Sequence, residues 1–361
     1  MPVTLVPPPF DPGHPSVAHW PSRAPGKDCD PLSRELTIGL LNNMPDSAVE
    51  ATERQFISLL NAAAGEICVR LVLCCLPSIP RGDQARERLD QHYVSIESLW
   101  DAGLDGLIVT GREPLSSNLR EEPYWNSFVQ VLDWARDNTC STIWSCLAAH
   151  AAVLHMDNIE RVRSAQKQSG IFECTRVSDH PITASVAARF RLPHSRWNGL
   201  PESELVRCGY QILSSAGSAG VDAFIRKQGS LFLFFQGHPE YQPETILLEY
   251  RRDVLRYLRG DSSKYPGIPR GYFDSTGERE LLSIQREVDT RPTEDTLTRL
   301  AAVFATLRSD AGWHTTATTI YRNWLETIAT EKERREQKKD AAATTPIPGS
   351  MDPPAELESF A

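Results

Sequence analysis

The feature that most constrains this chain is the way uninterrupted apolar runs alternate with amphipathic stretches between residues 36 and 156. Leu36–Leu41, Ile67–Leu76, Leu104–Thr110 and Ser141–Ser145 read as strands. Their near-continuous hydrophobicity means that both faces are covered. Between them, Glu50–Ala62 and Pro123–Asp137 place Phe56, Leu59 and Leu60, then Phe128, Val131 and Leu132, at helical spacing. Leu147–Met156 is apolar and Ala-rich, hence a buried helix. Strand–helix alternation of this kind predicts an α/β fold with a parallel-sheet core and helices on both faces.

After residue 209 the rhythm changes. Tyr210–Ser215, Val221–Lys227 and Ser230–Phe235 are closely spaced strand candidates joined at Gly217, Gly220 and Gly229, which predicts an antiparallel extension at one sheet edge. Pro243–Arg259 is a helix that ends before Gly260, and 277–330 is mostly helical. Residues 1–32 hold nine of the 26 prolines and are expected to form a disordered arm. Residues 331–361 open with a charge run and continue Ala/Thr/Pro-rich, which predicts a disordered tail. One folded domain, 33–330, remains.

The longest apolar runs fall far short of a bilayer span, so no membrane protein is expected. The net charge of −9 over 361 residues argues against nucleic-acid binding, which calls for a basic face, and suits small-molecule substrates. The eight cysteines contain no C-x-x-C pair, so no metal site is expected. Cys68, Cys74 and Cys75 sit in apolar segments, where a free thiol acts as a small hydrophobe. These features, and the lack of a signal-peptide pattern, predict a reducing, cytoplasmic setting.

Three segments combine a strand end with chemistry. In Ser141–His150 a buried strand gives way at once to a small-residue helix, with Cys146 at the junction. The carboxyl edge of a parallel sheet is where such folds bind ligands. A side chain on that turn is exposed beside a helix N-terminus, whose partial positive charge favours a thiolate. Position alone leans toward Cys146 as a buried apolar filler; the pairing with a second strand end that carries a His and a Glu shifts the reading toward a triad. In Phe235–Glu240 a second strand ends in Gly237, followed by His238, a candidate general base that in isolation reads equally as a ring packed beside a turn, and Glu240, a carboxylate able to fix the imidazole tautomer. In Thr110–Pro114, the turn at Gly111 reads equally as a plain turn glycine or as a source of backbone N–H groups that would complete an oxyanion hole with the amide of Leu147. The amide assigned to it from this turn is that of Arg112.

Taken together, these motifs resemble the homoserine O-acyltransferase family of methionine biosynthesis, the homoserine transsuccinylase type, itself similar in fold to class I glutamine amidotransferases. The resemblance runs from about residue 36 to 328. It is carried by Leu41-Asn-Asn-Met-Pro45, Asp105–Gly111, Tyr124-Trp125, Ser141-Thr142 with Cys146, Lys167-Gln-Ser-Gly170, Pro193-His-Ser-Arg196, Gly237–Tyr241, Arg252-Asp253 and Asn323-Trp-Leu325. It implies that Cys146 carries an acyl group as a thioester, with His238 as base and Glu240 as its orienting acid. It also implies that Lys167, Ser195 and Arg252 bind substrate, a cation being suited to an α-carboxylate. Two departures stand out. Asp46-Ser47 replace the usual basic residues after Met44-Pro45. Leu115 occupies the acyl-selecting position, where Gly or Glu is typical.

The resemblance therefore implies an acyl-CoA-dependent O-acyltransferase acting on L-homoserine, with succinyl-CoA, or else acetyl-CoA, as co-substrate. No tightly bound cofactor and no macromolecular partner beyond a second copy in a homodimer are expected. The alternatives are L-serine O-acylation for cysteine biosynthesis, a glutaminase-like amidotransferase using the same Cys–His–Glu triad, and a non-catalytic interaction protein.

Overall fold

The computed structural model of the protein describes residues 2–6, 34–101, 103–288, 294–305 and 312–344. Its strands are β1 Val3–Leu5, β2 Glu35–Leu41, β3 Cys68–Cys74, β4 Gly106–Val109, β5 Ser141–Ser145, β6 Val162–Arg176, β7 Arg189–Gly199, β8 Gln211–Ser215, β9 Val221–Gln228 and β10 Ser230–Phe235. The helices are α1 Val49–Ala63, α2 Asp83–His92, α3 Glu97–Asp101, α4 Trp125–Asn138, α5 Leu147–Asp157, α6 Glu202–Arg207, α7 Thr245–Leu258, α8 Ser275–Val288, α9 Glu294–Ala305 and α10 His314–Thr344.

All ten strands join one sheet in the order β1-β3-β2-β4-β5-β10-β9-β8-β6-β7. The six strands from β1 to β10 in that order are parallel; beyond β10 every pairing is antiparallel. The expected α/β architecture with an antiparallel extension is what the chain forms.

Alternation along each central strand divides the apolar side chains between two cores. Ile38, Ile108, Ile143 and Leu233 pack with Phe56 and Leu60 of α1 and with Trp324 and Ile328 of α10. Leu107, Val109, Trp144, Phe232 and Phe234 pack with Phe128 and Leu132 of α4 and with Val153 and Leu154 of α5. Buried polar groups on β5 are paired: Ser141 Oγ donates to the Leu231 carbonyl at 2.7 Å and accepts from Trp324 Nε1 at 2.9 Å. A third cluster joins Tyr250 and Val254 of α7 to Leu281 and Ile284 of α8.

The ends of the chain are more ordered than expected where they are described. In the supposed disordered arm, Val3–Leu5 adds a parallel edge strand, with Val69 N donating to the Pro2 carbonyl at 2.7 Å. Residues 7–33 lie outside the described residues. In the supposed tail, α10 runs on to Thr344. Its charge run is held by Glu331 with Arg334 and Arg335 at i,i+3 and i,i+4, and by Lys332 Nζ on Asp105 at 2.9 Å. Residues 345–361 lie outside the description. Cys68, expected as a free apolar thiol, is disulfide-bonded, while Cys74, Cys75, Cys140, Cys146, Cys174 and Cys208 are free. Among the described residues no helix is long and apolar enough to cross a membrane.

Candidate active site

Parallel register brings the three candidate segments to one rim. β5 and β10 run side by side with Ser145 opposite Phe235, and β4 lies on the other side of β5 with Val109 opposite Trp144. The residues that follow each strand therefore meet: Gly111, Cys146 and Gly237–Glu240. Cys146 is tied directly to the neighbouring strand end, its N–H donating to the Phe235 carbonyl at 2.7 Å.

Cys146 has φ 52° and ψ −112°, a conformation that L-residues adopt at a cost of about 1–3 kcal/mol. Its carbonyl accepts from Ala149 and His150 N–H groups, so the strained residue caps α5. The strain sets the thiol at the mouth of a helix whose first amides have no intrahelical acceptor. Gly111 lies against those amides: a Cβ there would stand 2.7 Å from Leu147 N and 3.0 Å from Ala148 N. Only the missing side chain lets the turn carrying Arg112 approach this closely.

His238 is 8% exposed and Glu240 7%. His238 Nδ1 and Glu240 Oε1 are 2.8 Å apart, which leaves Nε2 for the thiol. Burial pulls the His238 pKa down, but the Glu240 carboxylate and the charge and hydrogen bond of the Cys146 sulfur outweigh it, holding the imidazole well above its ordinary value. The protonated ring is thus favoured beside the sulfur. Ser145 Oγ reaches Glu240 Oε1 at 3.5 Å.

A second polar layer backs the pair. Gly237 fits only as glycine, since a Cβ would sit 2.6 Å from Asp222 Oδ1 and 3.0 Å from His194 Nε2. His194 and Asp222 are fully buried, and Cys174 Sγ gathers with them within 4.8 Å. Arg196, 4% exposed, donates to the carbonyls of Asn198 and Ala219. Burial lowers its pKa, and the Cys146 sulfur is the first group that opposes the loss. His150, one turn along α5, is pushed down to about 3, by burial first and Arg196 next, so it stays neutral and donates through Nε2 to Gln236 Oε1 at 2.9 Å.

The remaining expected residues form one network on the antiparallel side. The His238 and Tyr241 rings stack with centroids 4.1 Å apart, and Tyr241 OH donates to Glu249 Oε1 at 2.7 Å. Ser195 Oγ donates to the other oxygen of Glu249. Lys167 Nζ donates to Asp253 Oδ2 at 2.8 Å, and Arg252 grips Asp253 Oδ1 through Nε and an NH2 group at 2.9 and 2.8 Å. Lys167 and Arg252, expected to bind substrate, both pair with Asp253. Glu249, Asp253 and Tyr241 were not singled out as functional from the sequence. The signal available was the spacing on α7, where Glu249, Arg252, Asp253 and Arg256 fall at i, i+3, i+4 and i+7. Leu115 stands 61% exposed in the loop that leaves Gly111.

A strained cysteine facing a His–Glu pair at the carboxyl rim of a parallel sheet defines a class, the α/β proteins whose site geometry suits covalent chemistry at sulfur. Within it, residues 21–334 match the family model described as homoserine O-succinyltransferase, and the chain belongs to that family of enzymes. It is 44% identical over 304 residues to a homoserine O-succinyltransferase of Rhodopseudomonas palustris, covering 84% of this chain and 91% of that one. It is 46% identical over 301 residues to one of Bradyrhizobium japonicum, covering 83% and 91%, and 40% identical over 329 residues to one of Methylorubrum extorquens, covering 91% and 96%. Among solved structures, a glutamine amido transferase of Methylobacillus flagellatus is similar at 14% identity and TM-score 0.45, over 82% of this chain and 95% of that one. Family membership carries acyl transfer to homoserine as the activity.

Proposed function

We propose that the enzyme transfers a succinyl group from succinyl-CoA to the hydroxyl of L-homoserine through a thioester on Cys146, a step of methionine biosynthesis. The observation that carries this reading is the strained Cys146 turn beside a His238 held protonated by Glu240. The Cys146 thiolate attacks the thioester carbonyl, and the tetrahedral oxyanion is held by the amides of Leu147 and Arg112. The carbon–sulfur bond to CoA breaks, and His238 gives its proton to the departing thiolate. Neutral His238 then takes the proton of the homoserine hydroxyl. The oxygen attacks the acyl-enzyme, the new ester forms, and Cys146 leaves as thiolate. Glu240 keeps Nε2 of His238 aimed at the sulfur throughout.

The charge network supports an amino-acid acceptor. Two cations, Lys167 and Arg252, alternate with two anions, Glu249 and Asp253, so the patch is internally neutralised. A zwitterion fits such a patch, its carboxylate on the half-exposed Arg252 and the largely buried Lys167 and its ammonium on the Glu249–Asp253 side. Ser195, bonded to Glu249 one turn of the network away from His238, borders the acceptor.

The test is intact-protein mass measurement after incubation with succinyl-CoA alone. A succinyl adduct should appear on the wild type, vanish in Cys146→Ala, and discharge when homoserine is added. A protein that stays unmodified while turning over glutamine would sink the reading in favour of an amidotransferase.

A further inference from the structure

The loop from Gly111 to Asn118 starts against the first amides of α5, next to Cys146, and its Glu113 reaches Arg256 on α7, the helix that carries Arg252 and Asp253. It has no regular structure of its own, so something else fixes its course. One buried carboxylate does most of this. Glu122 is 3% exposed, and its Oε1 accepts from two consecutive loop amides, Leu115 N and Ser116 N, each at 2.7 Å. Charge-assisted bonds of this kind, out of water, are among the stronger ones a backbone can make. From the other side, Arg161 donates to the Ser117 carbonyl at 3.0 Å. Just beyond the loop, Arg120 anchors the chain to Asn158 Oδ1 at 2.6 Å at the end of α5. The exposed pair of Glu113 with Arg256 at 3.3 Å is, by contrast, of a kind that adds little.

The loop is therefore pinned at its middle, and the pinned residue is Leu115, whose side chain stands out into solvent. Carboxylate clamping of two adjacent amides dictates which way the intervening side chain points. Glu122 has a second oxygen, buried and without a hydrogen-bond partner, as has one terminal nitrogen of Arg161. Arg161 lies near enough to feel the Glu122 charge, but the hydrogen bonds of Glu122 go to the backbone.

We infer that Glu122 is a positioning residue for donor selection: by clamping the Leu115 and Ser116 amides it sets the wall of the acyl pocket without touching the reacting atoms. This rests on the acyl-transfer reading, and its test separates the two. The kcat/KM of Cys146 acylation is measured with succinyl-CoA and with acetyl-CoA, for the wild type, Glu122→Ala and Glu122→Gln. Amide hydrogen exchange at Leu115 and Ser116 is followed alongside, with the iodoacetamide reactivity of Cys146 as a control of the nucleophile. The expected result is a change in the succinyl-to-acetyl ratio of tenfold or more in Glu122→Ala, a smaller change in Glu122→Gln, whose side-chain carbonyl can still accept, and alkylation within twofold of wild type. Exchange at both amides should be slow in the wild type and fast in Glu122→Ala. A ratio constant within twofold in both variants, or two amides that exchange freely in the wild type, would overturn the inference. If Glu122→Ala does not fold, the ratio and exchange in Glu122→Gln decide. A wild type acylated by neither thioester defeats the functional reading, and the exchange of the two amides then still decides whether the clamp exists.

Discussion

The two halves of the sheet hold their functional groups by different physics. On the parallel half, Cys146, Gly111 and the Gly237–Glu240 turn are fixed by backbone: strand ends in register, a non-glycine residue at positive φ, and two glycines that a single Cβ would displace. On the antiparallel half, Lys167, Ser195, Glu249, Arg252 and Asp253 are fixed by one another through charge pairs on partly exposed surfaces. The first arrangement is brittle, because no neighbour can replace a lost backbone constraint. The second is partly redundant, because Lys167 meets both Glu249 and Asp253, and Asp253 meets both Lys167 and Arg252. On the proposed mechanism the reacting groups lie in the part that cannot adapt, and the groups proposed to hold the acceptor lie in the part that can.

The largest effects should therefore fall on the parallel half. His238→Asn is expected to slow both acylation and acyl transfer by about 10²–10⁴-fold, read by rapid quench of each half-reaction. An effect confined to one half-reaction would break the view that a single imidazole serves both. Gly111→Ala comes next. The added methyl would press on Leu147 N and deny the oxyanion its donor, with a loss of about 10²–10³ in kcat. A variant with normal kcat and only a lowered melting temperature would show that this approach serves packing alone.

How far the sequence announces each half follows from the same physics. The parallel strands are buried on both faces, so β5 and β10 are legible residue for residue as Ser141–Ser145 and Ser230–Phe235, and the turns that follow them carry the three candidate catalytic residues. The β6–β7 hairpin went unread, although it holds Lys167 and Ser195. Only Ile171, Phe172 and Cys174 of β6 enter the core, and the rest of that long strand is polar and half exposed. β7 contains Pro193, which lacks an N–H and is tolerated because β7 is the outermost strand. The helical continuation past residue 330 was hidden in the same way. A charge run looks disordered until Asp105 and Glu35 are placed beside Lys332. Glu122 was invisible because its partners are main-chain amides, which leave no mark on composition or spacing.

On the antiparallel half, Lys167→Met should raise KM for the amino-acid acceptor by about 10–100-fold, the equivalent of one lost charge-assisted bond, and leave acylation by the CoA thioester unchanged. Ser195→Ala should do less, since Tyr241 still holds Glu249. A fall in acylation on either substitution would erase the division between the halves. The pair is best read in one experiment, with single-turnover acylation and steady-state acceptor titration on the same preparations.

The smallest effect is on stability, and its sign is fixed by His238. The ring's folded pKa lies above its ordinary value near 6.5, because Glu240 and the Cys146 sulfur overcome the opposing effect of burial. The folded protein therefore holds that proton more tightly than the unfolded chain. The resulting stabilisation is fully present below about pH 6.5 and is lost as pH rises through the elevated folded value. In Cys146→Ala the sulfur's share is removed and Glu240's remains. In Cys146→Ala/Glu240→Gln burial alone governs, the folded pKa falls below the unfolded one, and the dependence reverses: stability is then present above about pH 6.5 and is lost as pH falls. Urea midpoints of the two variants, measured from pH 5.5 to 9, should cross rather than run parallel. Parallel curves would mean that Glu240 orients the imidazole without holding its charge, and the brittle half would then owe its reactivity to backbone geometry alone.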